Sequence, residues 1–244
     1  MLAVGLGVGA AAAHSPVASA DSSTDWLSSI DSFLGGSALP APSSGLDLAI
    51  SFDGYSLVSD GSAYAYTTPG AYDLAIAYGA NTVAVGEDGT GDTAIADGSG
   101  AEANAYNGTG DYALADGNLA YADAGGATGA NYDTAIDIGN NSAPDTGAYA
   151  GADFGGGGSN DLAYTLGDNS IAGAGGDGAG GSFIGNNDVA AVFNPFGTAG
   201  SEAYAGAGLG TPGDFDLSAV FGDSLFSEGA TGGNYLIEIL PSLF

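Results

Sequence analysis

The chain has 244 residues with 29 acidic side chains, one His, and no Lys, Arg or Cys, for a formal charge of −29. The lack of Lys and Arg argues against nucleic acid and anionic membrane surfaces as partners, since both are held by cationic side chains that displace counterions, and the lack of Cys excludes a disulfide staple. Leu, Ile, Val and Phe make up about a fifth of the residues, near the composition of disordered chains, but 13 Tyr, 10 Phe and a repeated apolar pattern favour a thin, repetitive core.

Residues 1–20, MLAVGLGVGAAAAHSPVASA, have the form of a secretory signal: an apolar run closed by the A-x-A site Ala18-Ser19-Ala20. Its removal would take away His14, the single histidine, and leave a chain beginning at Asp21. Residues 21–45 then read as an amphipathic helix and a linker. Trp26, Leu27, Ile30, Phe33 and Leu34 share one helical stripe, Ser, Thr and Asp precede it as caps, and Gly35-Gly36 stop it. The stretch GSALPAPSSG (36–45) has linker composition. No later stretch reaches the ~18–20 apolar residues of a spanning helix, so none is expected in the mature chain.

Residues 46–206 repeat a unit of the form D-x-A-h-x-x-G, where h is apolar. It appears as DLAIAYG (73–79), DTAIADG (92–98), DYALADG (111–117), DTAIDIG (133–139) and DLAYTLG (161–167), with a weaker copy, DVAAVF, at 188–193. Between the copies lie second short segments, among them SAYAY (62–66), NTVAVG (81–86), AEANAY (101–106), NLAYAD (118–123) and SEAYAG (201–206). Two short alternating segments per unit, separated by Gly, Asn and Asp, mark strands and turns. Self-similarity near 20 residues is the signature of stacked coils. The predicted fold is all-β: a β-solenoid, either a β-roll or a narrow β-helix. The alternation leaves two phases, and the usual rule of large apolar side chains inside puts Ile76, Ile95, Leu114 and Ile136 in the core. In the reverse phase Ala fills a flat interior, and the outward Ile/Leu row demands a partner subunit.

Residues 207–244 are expected to cap the far end. DFDLSAVFGDSLF (214–226) carries a second helical stripe through Phe215, Leu217, Val220, Phe221, Leu225 and Phe226. Short helical caps at both ends would cover the exposed strand edges of an open stack.

The segments AIAYGANTVAVG and TAIADGSGAEANAYNG resemble the head repeats of trimeric autotransporter adhesins, over roughly residues 62–140. The tract GAGGDGAGG (173–181) is similar to the Gly-Ala tracts of mycobacterial PE-PGRS proteins, without the helical domain of that family. The whole composition resembles Gly/Ala/Asp-rich exported mycobacterial proteins. These resemblances imply secretion or surface exposure and no catalysis.

The chemistry open to the mature chain is confined to carboxylates, hydroxyls and backbone, since zinc, haem and nucleophile–His arrangements lack their ligands. Asp145-Thr146-Gly147 matches the aspartic-protease triplet but has no second copy and no apolar strand before it. Stacked coils would set Asp92 over Asp111 and Asp97 over Asp116 at one strand spacing, about 4.8 Å. Two unit charges repel there by roughly 0.9 kcal/mol even in water. A bound Ca²⁺ with oxygen ligands would relieve that, which makes Asp92, Asp97, Asp111 and Asp116 weak calcium candidates; the plainer alternative is that these Asp cap local turns. Tyr78, Tyr106, Tyr112, Tyr121 and Tyr164 either stack across strands or present rings to a ligand. The sequence thus reads as a secreted or cell-surface structural or interaction protein with no catalysis. Its expected partner is an envelope protein or polysaccharide, with homo-oligomerisation open. The alternative is a carbohydrate-binding or glycoside-cleaving β-helix using paired Asp residues.

Overall fold

The computed structural model describes residues 46–125, 130–142, 147–150, 158–175, 186–194, 202–205, 207–208, 211–212, 217–222, 225–229 and 237–241. The signal and amphipathic helix expected at 1–45 lie outside the described residues. Every regular element among the described residues is a strand. Ten strands form one sheet, in spatial order β2 (Tyr55–Asp60), β1 (Leu48–Phe52), β4 (Leu74–Tyr78), β6 (Thr93–Asp97), β8 (Tyr112–Asp116), β10 (Thr134–Ile138), β12 (Leu162–Gly167), β14 (Val189–Asn194), β18 (Leu217–Phe221) and β20 (Ile237–Pro241). Eight form a second sheet, running β3 (Tyr64–Thr67), β5 (Val83–Glu87), β7 (Glu102–Tyr106), β9 (Tyr121–Ala124), β11 (Gly147–Ala150), β13 (Ile171–Gly173), β15 (Glu202–Ala205) and β19 (Phe226–Gly229). A short antiparallel pair, β16 (Ala207–Gly208) and β17 (Thr211–Pro212), stands apart.

From β3 to β15 the chain adds strands to the two sheets by turns, and each strand pairs in parallel with its counterpart from the preceding repeat. The predicted repeat units therefore lie in register. Asp73, Asp92, Asp111, Asp133, Asp161 and Asp188 each precede a strand of the ten-stranded sheet. Ala75, Ala94, Ala113, Ala135, Ala163 and Ala190 follow them in one file across β4–β14. The longer intervals of 22, 28 and 27 residues insert chain between strands without shifting this register. At the end of the ten-stranded sheet nearest the start of the described residues, β1 runs antiparallel to both β2 and β4, so a hairpin terminates the sheet.

The core corrects the expected phase. Ile76, Ile95, Leu114 and Ile136 stand on the outer face, half-buried between neighbours above and below, while Ala75, Ala77, Ala94, Ala96, Ala113 and Ala115 are fully buried. All buried apolar side chains among the described residues are Ala except Leu48, Ile50, Val192 and Val220. The reason lies in the corners. Four residues, 98–101, carry the chain from β6 to β7, and five, 107–111, return it to β8. Connections this short hold the sheets close, so alanine fills most of the gap, with room for the β-branched Thr67, Thr165, Val192 and Val220. The rule of large residues inside presumes sheets about 10 Å apart.

One glycine file shows how close the layers run. Gly98 and Gly117, both at φ +134, end the repeat motif, and a Cβ at Gly98 would lie 2.0 Å from the carbonyl oxygen of Gly117. That contact is impossible for any other residue. The final Gly of D-x-A-h-x-x-G therefore marks a corner where backbone stacks on backbone.

The C-terminal helix is also corrected. The stripe predicted over 214–226 contains strand β18 and the start of β19, each paired in parallel with the strand of the previous repeat. Leu217, Val220 and Phe221 fit a helical stripe as readily as a strand, but Ser218 and Val220 face inward and Leu217 and Phe221 outward.

A thin alanine core predicts an inverted mutational pattern. Ala113→Leu is expected to cost about 1–3 kcal/mol or more through overpacking, and Leu114→Ala less. Urea unfolding followed by circular dichroism measures both. A larger loss for Leu114→Ala would restore the bulky-inside phase.

Candidate functional site

The most unusual polar feature is a column of buried aspartates at the corner before each strand of the ten-stranded sheet. Asp73, Asp92, Asp111, Asp133, Asp161 and Asp188 are at most 1 % exposed. The backbone N–H of Asp92 donates to Oδ1 of Asp73 at 3.0 Å, that of Asp111 to Asp92 at 3.0 Å, and that of Asp133 to Asp111 at 3.0 Å. Asp161 donates to Asp133 and Asp188 to Asp161, both at 2.9 Å. Each carboxylate thus accepts from the amide of its own counterpart one repeat later. The expected turn caps are real hydrogen bonds, but they link successive repeats rather than closing local turns.

Local sequence sets this geometry. The residue before each Asp adopts a left-handed conformation: Tyr72, Gly91, Gly110, Tyr132, Asn160 and Asn187 have φ of 62°, 74°, 73°, 60°, 62° and 62°. That twist aims the Asp amide at the previous repeat. In the GTGD copies the first glycine has a separate role. A Cβ at Gly89 would lie 1.9 Å from Oδ2 of Asp92, and one at Gly108 would lie 2.1 Å from Oδ2 of Asp111. One glycine makes room for the carboxylate and the other makes the turn.

The column is electrostatically costly. No Lys or Arg exists to neutralise it, and Oδ2 of Asp73, Asp92, Asp111 and Asp133 has no hydrogen-bond partner among the described residues. Burial raises the carboxyls of Asp73 and Asp92 above the usual range, against the pull of the next repeat's amide. Asp111 is pushed to about 6 and Asp133 to about 8, first by burial, with neighbouring Asp charges adding to it. Asp111 and Asp133 therefore take up protons near neutral pH.

The four calcium candidates do not meet. Asp92 and Asp111 are buried members of the column, each with one oxygen engaged by a backbone amide. Asp97 and Asp116 sit at the other end of the same strands, exposed and paired in register. Five residues of extended chain put roughly 16 Å between the two pairs. The Asp97 carboxyl is raised by burial and by the charge of Asp116. Among the described residues no three acidic side chains converge as metal ligands.

Two further aspartates carry no repeat signal. Asp137 takes an inward alanine position of the repeat, where DTAIDIG departs from DTAIADG. Its Oδ1 accepts from the Thr165 hydroxyl, and its Oδ2 accepts from Asn141 Nδ2 at 2.7 Å and from the Tyr121 amide at 3.0 Å. Burial lifts it to about 6 despite these bonds. Asp123, on β9, accepts from the Tyr106 and Tyr121 hydroxyls, both at 2.9 Å. Tyr164 packs against Phe193 at 5.4 Å between ring centroids, and Phe193 stacks on Phe221 at 5.0 Å. Three of the five singled-out tyrosines are thus held within the protein's own contacts, whereas Tyr78 is 44 % exposed. Tyr112 stands half-buried on the outer face between Thr93 and Thr134.

No protein-family model matches the chain, and neither a curated protein nor a solved structure gives a significant match. The chemistry therefore rests on this chain's own residues.

The raised carboxyls dictate a pH dependence. Folded values above the unfolded one near 3.8 give stability that is fully present below that value and lost as pH rises through about 6 and about 8. The urea midpoint is expected to be highest near pH 4 and to fall steadily to pH 8. Asp111→Asn keeps an acceptor for the Asp133 amide without a charge, so it is expected to flatten this fall between about pH 4 and 6. A midpoint that rises over this range would contradict the charged column.

Proposed function

We propose that the protein is an exported structural or interaction protein of the cell envelope, without catalysis, built as an acidic β-solenoid. The observation that carries the reading is the in-register parallel pairing of successive repeats, bound at one corner by the Asp–amide column. A stack of this kind presents long regular faces, and its most conspicuous acids are spent on holding repeats together. Asp92 and Asp111 are buried against backbone, which suits a scaffold better than a carboxylate pair reaching for a substrate. The A-x-A signal at 18–20 supports export, and the absence of Lys and Arg suits a protein that avoids anionic surfaces and meets neutral or basic envelope components.

Fractionation of the native source with N-terminal mass spectrometry tests this. The expected result is a chain starting at Asp21, recovered from the medium or the envelope. A cytosolic chain that retains residues 1–20 would overturn the proposal.

A further inference from the structure

The outer faces of the two sheets differ in charge. The eight-stranded sheet presents Glu87, Glu102 and Glu202. On the outer face of the ten-stranded sheet, Ile95, Leu114, Ile136, Tyr164, Ala191 and Ala219 form one file across β6–β18, and Ile138, Leu166, Phe193 and Phe221 form a second across β10–β18. From β10 through β18 no outward side chain on this face is charged. Inward packing cannot account for these large residues, because the interior is filled by alanine.

We propose that this face binds a second copy of the same chain, sheet against sheet. The seven strands from β4 to β18, about 4.8 Å apart and each about five residues of 3.3 Å, give a face of roughly 550 Å². Two such faces bury about 1,100 Å², above the ~1,000 Å² that a specific interface needs. Apolar patches above a few hundred Å² on soluble proteins mark such contacts. Charge selects the occupant. A basic partner would be read by carboxylates, which lie on the other sheet and at the corners. A copy of this chain carries −29, so it can approach only through a face that lacks charge. A two-fold axis along the strand direction, between β8 and β10, reverses the strand order of one copy over the other. The Asp97 and Asp116 end of each copy then lies over the uncharged half of its mate rather than over the same carboxylates, as an isologous contact requires.

The inference deepens the scaffold reading by naming its partner. It rests on sheet geometry, so a monomeric result would leave export and fold standing. Sedimentation equilibrium of the full chain at about 0.05 M and about 0.5 M NaCl tests it, because screening reduces repulsion between the copies. The expected result is a species of twice the chain mass that tightens with salt. Ile136→Glu, beside the proposed axis, is expected to weaken it at least about 100-fold, since each dimer would bury two new charges. Leu114→Thr, which keeps strand propensity, is expected to weaken it about tenfold. Val85→Glu, on the other sheet, is expected to leave it unchanged, with circular dichroism reporting the fold of each variant. A monomer at both salts would overturn the proposal, as would a dimer broken only by Val85→Glu. Binding of phosphatidylcholine vesicles by the monomer would give the face to lipid and overturn it too.

Discussion

Each repeat of this protein is tied to the next by an aspartate whose carboxylate accepts the backbone amide of its own counterpart one turn later. Much of the rest follows from that contact. The amide reaches the carboxylate only if the preceding residue turns left-handed, which is why Gly, Asn or an exposed Tyr precedes every Asp of the column. The carboxylates of Asp92 and Asp111 fit only because the residue three before each lacks a Cβ, which fixes the first glycine of GTGD. With the corners set, the strands between them are short, the sheets lie close, and alanine is the side chain that fits.

Such an architecture exchanges core volume for backbone regularity. Individual alanines contribute little burial, so stability is spread over many strand-to-strand hydrogen bonds and over the column. Placing acids in that column without any cation makes protonation part of the fold. Buried carboxyls that titrate near neutral pH couple stability to the pH of the surroundings. The same thinness moves large apolar side chains outward, onto the face proposed for association.

The repeat spacing made the strands, the alternation between segments and the importance of the Asp and Gly corners legible from the residues alone. The phase was not, because alternation of Ala with Ile fits either side of a sheet and only the corner lengths decide between them. The stripe at 214–226 was misread because Leu217, Val220 and Phe221 satisfy helical and strand spacing together. The column was half visible: Asp92 and Asp111 stood out in the two nearly identical copies, while Asp73, Asp133, Asp161 and Asp188 carried the same motif but lacked the glycine immediately before the Asp. Asp137 and Asp123 sit at ordinary repeat positions, and only the substitution of Asp for Ala in DTAIDIG marked the first.

Amide hydrogen exchange measured residue by residue is the most direct test of the central contact. The N–H groups of Asp92, Asp111, Asp133, Asp161 and Asp188 should be protected as strongly as those at the centres of β6, β8 and β10, although every one of them lies in a corner. Exchange at these five positions as fast as in an unstructured peptide would contradict the column and the fold built on it.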